Sequence, residues 1–269
     1  MLRRAIAALL CLTVLASGCA TVPITGRSQL DLVPTQQLVA LAADSYAELL
    51  GEVELSRDPT WSPVLNGVGA RIASSAEAFL TEHGLQSQIQ HYDWQFALIE
   101  DDAQANAFCM PGGKVAVYTG ILPLAQDEAG LAVVIGHEVA HAIANHGGER
   151  MSQLLLAELG GMALSKAVEE KPEETRQLAF LAYGIGAQVG VLLPYSRTHE
   201  SEADRIGLIL MARAGYDPRS AVGFWQRMAA EKGGEPPEFL STHPSSDRRI
   251  EGIREHLPEA IGYFEGSRN

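Results

Sequence analysis

The stretch "LAVVIGHEVAHAIANHGGERM", residues 131–151, places two imidazoles and a carboxylate inside an apolar run. Successive helical residues turn by about 100°, so His137 and His141 lie one above the other on a single helix face. Two imidazoles so placed can fill two corners of a tetrahedral zinc site, with Glu138 beside them as a base toward attacking water. A zinc ion acidifies water from a pKa of about 15.7 to near 7, and a carboxylate must take the proton as a carbonyl is attacked. The competing reading is a pair of hydrogen-bonded core histidines.

The third ligand sets the class. The metzincin spacing would need a glycine at position 144 and a histidine at 147, where the chain has Ala144 and Gly147. On a continuous helix His146 lies about 180° from His137, so it reads as a surface or capping histidine. A better candidate stands in "YSRTHESEADRIG". Glu200 and Asp204 share one helix face, whereas Glu202 points about 200° away from Glu200 and reads as a solvated charge. Glu200 can be the third ligand, and Asp204 can accept a ring N–H from a ligating histidine and fix its tautomer.

Several elements must position these groups. Helical patterns run from Pro34-Thr35 to about Leu50 and from after Asp58-Pro59 to about Leu80. "WQFALIE", "NAFCM" and "KVAVY" read as short strands, and Pro111-Gly112-Gly113 as the turn of a hairpin between the last two. The run from Asp127 to about Asn145 is the histidine-bearing helix, with Asp127 and Glu128 at its positive end. Residues 151–193 read as helical, interrupted by "EEKPEET". Within them "LAFLAYGIGAQVGVLL" is too short for a good membrane span and predicts a buried or partly interfacial helix. Further helices are expected over about 198–213 and on either side of "KGGEPPEF", the last opening after His243-Pro244, and there is no internal repeat. The class is α+β and mainly helical, with a small β-sheet or hairpin beside the catalytic helix.

The chain has 269 residues, 46% hydrophobic and 20% charged, enough for one globular domain. "MLRRAIAALLCLTVLASGCA" has a basic start, an apolar run and small residues before Cys19, the layout of a secretory signal. It resembles a bacterial lipoprotein processing site, with Cys19 lipidated as the first mature residue. The division expected is a signal over 1–18, a lipidated tether over 19–34 and one catalytic domain over 35–269. Arg3 and Arg4 leave with the signal, so 18 basic residues stand against 33 acidic ones, a net charge of −15. No basic stripe appears, which argues against a nucleic-acid partner. Only Cys109 then remains as a thiol, so no disulfide framework is available, and it reads as a small buried hydrophobe.

The combination of "HEVAH", "ESEAD" with its following glycine, "NAFCMPGGKVAVYTGIL" and the late "STHPSSDRRI" resembles the zinc metallopeptidases of the CAAX prenyl protease type, which are gluzincins. It is most similar to short bacterial lipoprotein members related to the β-barrel assembly-enhancing protease, without their tetratricopeptide repeats. The resemblance implies one zinc ion on His137, His141 and Glu200, with Glu138 as general base. It implies that Lys114, Val115, Ala116, Val117 and Tyr118 form an exposed strand on which substrate lies extended. His243 and Arg249 match a late histidine and arginine near the metal, where their charge would stabilise an oxyanion. His243 would otherwise latch the open corner of the metal.

The function so implied is zinc-dependent cleavage of unfolded or misassembled envelope proteins at the periplasmic face. The location expected is a bacterial outer membrane reached through a lipid anchor, with the envelope assembly machinery as a possible partner. Two other classes compete: a tethered chaperone or assembly factor with a structural zinc, and an anchored scaffold without metal. Glu138 discriminates, because a structural site needs no base.

Overall fold

The computed structural model describes residues 19–188, 193–230, 239–240, 243 and 247–267. The signal expected over residues 1–18 lies outside them, as does most of "KGGEPPEF".

One helix organises the rest. α4 (Glu128–Ile143) starts where the Asp127 side chain accepts from the Gly130 N–H at 2.8 Å, and Glu128 adds negative charge to its first turn. It is buried nearly all round, so it runs through the core and not along the surface. α2 (Trp61–Glu82) and α7 (Leu193–Arg213) pack on it from two sides. α9 (Asp247–Gly266) then packs on α7 and on α8 (Ser220–Ala230). The close crossing of α4 and α7 depends on Gly136 and Gly207: a Cβ on Gly136 would lie 2.9 Å from the Gly207 carbonyl oxygen.

Beside α4 stands a three-stranded sheet of β3 (Gln95–Ile99), β4 (Ala107–Met110) and β5 (Lys114–Tyr118), ordered β3-β5-β4. β4 and β5 form the expected antiparallel hairpin, turned by Gly112 and Gly113 at φ 85° and 82°, a region glycine enters without strain. β3 joins β5 in parallel. The expectation of an exposed strand at Lys114, Val115, Ala116, Val117 and Tyr118 is therefore corrected. β5 is the central strand, with both edges paired and Val115, Ala116 and Val117 fully buried. α1 (Thr35–Glu52) covers the sheet, and the Tyr46 hydroxyl donates to the Val115 carbonyl at 2.7 Å.

The segment from Cys19 is folded. β1 (Cys19–Thr21) pairs antiparallel with β2 (Ser28–Leu30), and Val22 is buried in the main core. α5 (His146–Val168) and α6 (Glu173–Ala187) form a helical hairpin. Of the two alternatives expected near residue 180, a buried or a partly interfacial helix, full burial does not hold, because Leu178 and Leu181 on α6 are 67% and 60% exposed. Among the described residues, no helix is long and apolar enough to cross a membrane. α3 (Leu122–Ala125) is a single turn leading into α4.

Candidate metal centre

α4 presents His137 and His141 on one face, and α7 presents Glu200 opposite them. His243, before α9, completes the cluster, and one ligand atom from each of the four lies within 4.8 Å of the others. His137 Nε2 is 3.1 Å from His141 Nε2 and 3.3 Å from Glu200 Oε2. His141 Nε2 is 3.4 Å from Glu200 Oε1. His243 Nδ1 is 3.0 Å from both Glu200 oxygens and 3.2 Å from His137 Nε2. Zinc–nitrogen bonds near 2.05 Å in tetrahedral geometry separate the donors by about 3.3 Å. The spacing and the donor types both suit a dication of that size.

Glu138 follows His137 and is buried. Its Oε1 makes no hydrogen bond among the described residues, and His243 Nε2 lies 3.4 Å away. Burial raises the pKa of its carboxyl, which makes it a stronger base than an exposed glutamate. Burial also pushes the His141 imidazole well down, leaving it neutral, the form that can ligate a metal. Burial and nearby Arg249 work against a charged His137, yet its hydrogen bonds to Asp204 and Glu200 bring it up to about 9. The carboxylates thus demand positive charge at this point, which a dication supplies. Burial opposes ionisation of Glu200 as well, but its contacts with His137 and His243 hold it far below the usual range.

Asp204 lies one turn beyond Glu200, with Oδ1 3.1 Å from His137 Nδ1. Arg249 grips that aspartate through Nε and Nη2 at 2.8 and 2.7 Å. Its Nη1 is 3.0 Å from Glu200 Oε2 and donates to the His243 carbonyl at 3.2 Å. The guanidinium sits 3.5 Å over the Trp225 ring. Arg249 therefore orients Asp204, Glu200 and His243.

Two residues missed in the sequence belong to this centre. Glu202, expected in solvent, is only 5% exposed and faces His146 across the helix interface. Its phase was read correctly: it points away from the metal, but into protein. His146, expected as a surface or capping histidine, is 1% exposed, with Nδ1 2.9 Å from His141 Nδ1. The helix that carried the phase argument stops at Ile143, and Asn145 turns the chain at φ 54° before α5 begins. Asn145-His146-Gly147-Gly148 was the available signal, a break that resets helix phase.

Two histidines on one helix facing a glutamate on a crossing helix, with a buried glutamate beside them, form the donor pattern of a metallopeptidase. Residues 70–257 match Peptidase family M48, and the chain belongs to that family. It is 36% identical over 251 residues to the mitochondrial metalloendopeptidase OMA1 of Schizosaccharomyces pombe, covering 89% of this chain and 66% of that one. It is 33% identical over 252 residues to the human metalloendopeptidase OMA1, covering 89% of this chain and 46% of the relative. A putative β-barrel assembly-enhancing protease of Vibrio cholerae is 31% identical over 221 residues, covering 79% and 42%. The chain thus spans less than two thirds of each of these three. The expected placement, lipid-anchored at a bacterial outer membrane facing the periplasm, is overturned: the better-matching relatives are mitochondrial by name.

Proposed function

We propose that the chain is a zinc-dependent endopeptidase that cleaves unfolded or misfolded protein chains bound in extended form. His137, His141 and Glu200 would hold the ion, which when bound supplies Lewis acidity to acidify water and polarise a peptide carbonyl. Glu138 takes the proton of the attacking water and passes it to the departing amine. The single observation behind this reading is the buried Glu138 carboxylate, with one oxygen unbonded, beside four converging ligand atoms. A purely structural site has no use for such a base. The names of the relatives, metalloendopeptidases and an assembly-enhancing protease, support endopeptidase activity.

The substrate strand is β4, not β5. Asn106 accepts from the Tyr118 N–H, so by alternation Phe108 and Met110 also bond β5. Cys109 then aims its main-chain N–H and C=O at the outer edge, on the side of α4. It is near enough to Glu138 for that charge to act on its thiol, whose pKa burial already raises. An extended peptide can pair there with its scissile bond over the cluster.

The test is incubation of the full chain with an unfolded protein, wild type beside Glu138→Gln. Cleavage is expected to fall by at least ~10²-fold with metal content unchanged, the scale of lost general-base catalysis. Undiminished cleavage by the variant would sink the mechanism.

A further inference from the structure

His137 and His141 turn their second ring nitrogens away from the metal cluster, and both end on a carboxylate of α7. For His137 the contact is direct, to Asp204 at 3.1 Å. For His141 it passes through a third imidazole: His141 Nδ1 to His146 Nδ1 at 2.9 Å, then His146 Nε2 to Glu202 Oε2 at 3.1 Å.

The protons in this chain have only one consistent arrangement. A metal on His141 Nε2 needs the lone pair there, so the ring proton is on Nδ1 and is donated to His146 Nδ1. His146 must then carry its own proton on Nε2 and donate it to Glu202. Every donor meets one acceptor, and every group keeps its resting charge.

The carboxylate end is anchored by the N-terminal hairpin. Glu202 accepts from Thr25 Oγ1 at 2.6 Å, from Arg27 Nε at 3.0 and 3.1 Å and from Arg27 Nη2 at 2.9 Å. Arg27 also holds Glu149 through Nη1 and Nη2 at 2.8 and 2.7 Å. Glu149 in turn accepts from His199 Nε2 at 2.8 Å, and the His199 ring stacks on His146 with centroids 4.3 Å apart. His146 is thereby fixed both along its hydrogen bonds and in the tilt of its ring. Arg27 is itself placed by the tight turn of the hairpin, where its carbonyl accepts from the Val22 N–H at 2.9 Å.

We propose that His146, Glu202 and Arg27 are a positioning relay for the ligand His141, so that the hairpin of β1 and β2 is a working part of the metal centre. The inference rests on the reading of His137, His141 and Glu200 as metal ligands. The relay matches the other side of the site, where Arg249 holds Asp204 and Asp204 holds His137. Each histidine ligand has a carboxylate behind it, and each carboxylate an arginine. All three acids of "ESEAD" are then assigned: Glu200 to the metal, Glu202 and Asp204 to its two histidines.

The test measures metal affinity on the full chain, by zinc competition with a chromophoric chelator and by the visible spectrum of the cobalt-loaded protein. Glu202→Gln and Arg27→Gln are expected to weaken zinc binding by about 10- to 100-fold and to alter the cobalt bands, the usual scale for partners behind a ligand. Arg27→Lys is expected to recover part of the affinity. The melting temperature of the metal-free protein is read in parallel. A loss of stability with wild-type zinc affinity and cobalt bands would make the cluster a mere staple for the hairpin and overturn the proposal. If Arg27→Gln fails to fold, the isosteric Glu202→Gln decides alone. Wild type and His137→Ala separate the two failures: a wild type that binds no zinc, or a His137→Ala that binds it normally, refutes the ligand set itself.

Discussion

Gly136 and Gly207 meet backbone to backbone where α4 crosses α7. A Cβ on Gly207 would stand 2.9 Å from both the Gly136 carbonyl carbon and the His137 amide nitrogen. Because His137 follows Gly136, this contact fixes how far His137 and His141 stand from Glu200. Gly207→Ala is expected to push the helices apart, costing about 1–3 kcal/mol of stability as overpacking does. Zinc affinity should fall with it. Denaturant titration and chelator competition measure the two, and a wild-type metal affinity would show that the crossing does not set the ligand spacing.

His243 reaches the cluster from outside both helices, and its N–H donates to the Phe239 carbonyl at 2.8 Å. With Nδ1 3.0 Å from both Glu200 oxygens, it stands where a fourth donor would. This geometry supports the latch. His243→Ala is expected to retain zinc and to raise peptide cleavage several-fold. A fall in activity at full metal occupancy would instead assign His243 to oxyanion stabilisation.

Cys109→Pro removes a main-chain N–H that β5 does not use. One such hydrogen bond contributes about 0.5–1.5 kcal/mol, so kcat/KM should drop by roughly 3- to 10-fold with little change in melting temperature. Phe108→Pro deletes a ladder bond to β5 and should lower the melting temperature markedly. Equal effects of the two on stability, or none on kcat/KM, would count against β4 as the substrate edge.

Acid should unfold the metal-free protein through the Arg27 cluster. Burial works against ionised Glu149, but its bonds to His199 and Arg27 prevail and lower its pKa from 4.5 to about 2. A depressed carboxylate contributes stability above its unfolded pKa, and that share is lost as pH falls from about 4.5 through about 2. Glu149→Gln should be less stable at neutral pH and show a flatter acid limb. Parallel wild-type and variant melting curves across that window would contradict the linkage.

The sequence was most legible where geometry is local. The 100° phase put His137 and His141 together and chose Glu200 over Glu202 for the cluster, and the Pro-Gly-Gly turn gave the β4–β5 hairpin. What failed depended on partners far along the chain. Glu202 reads as solvated unless Arg27, 175 positions earlier, is known to lie over it. The exposed strand that the family resemblance implied at β5 fails because β3 pairs beyond it in parallel. Ala116 between two valines was the hint, because a strand buried on both faces loses its polar alternation. The run holding Leu178 and Leu181 left burial and an interfacial position both open, because hydropathy reports what a side chain prefers and not what packs on it.

The distance between Arg27 and Glu202 also sets a clock. At about 5–20 residues per second, a ribosome needs roughly 9–35 s to travel the 175 positions that separate them, and Arg249 emerges later still. Until then even a nascent chain that has completed HEVAH has neither arginine in place behind His137 and His141. The cluster of His137, His141, Glu200 and His243 can therefore close only as synthesis nears its end.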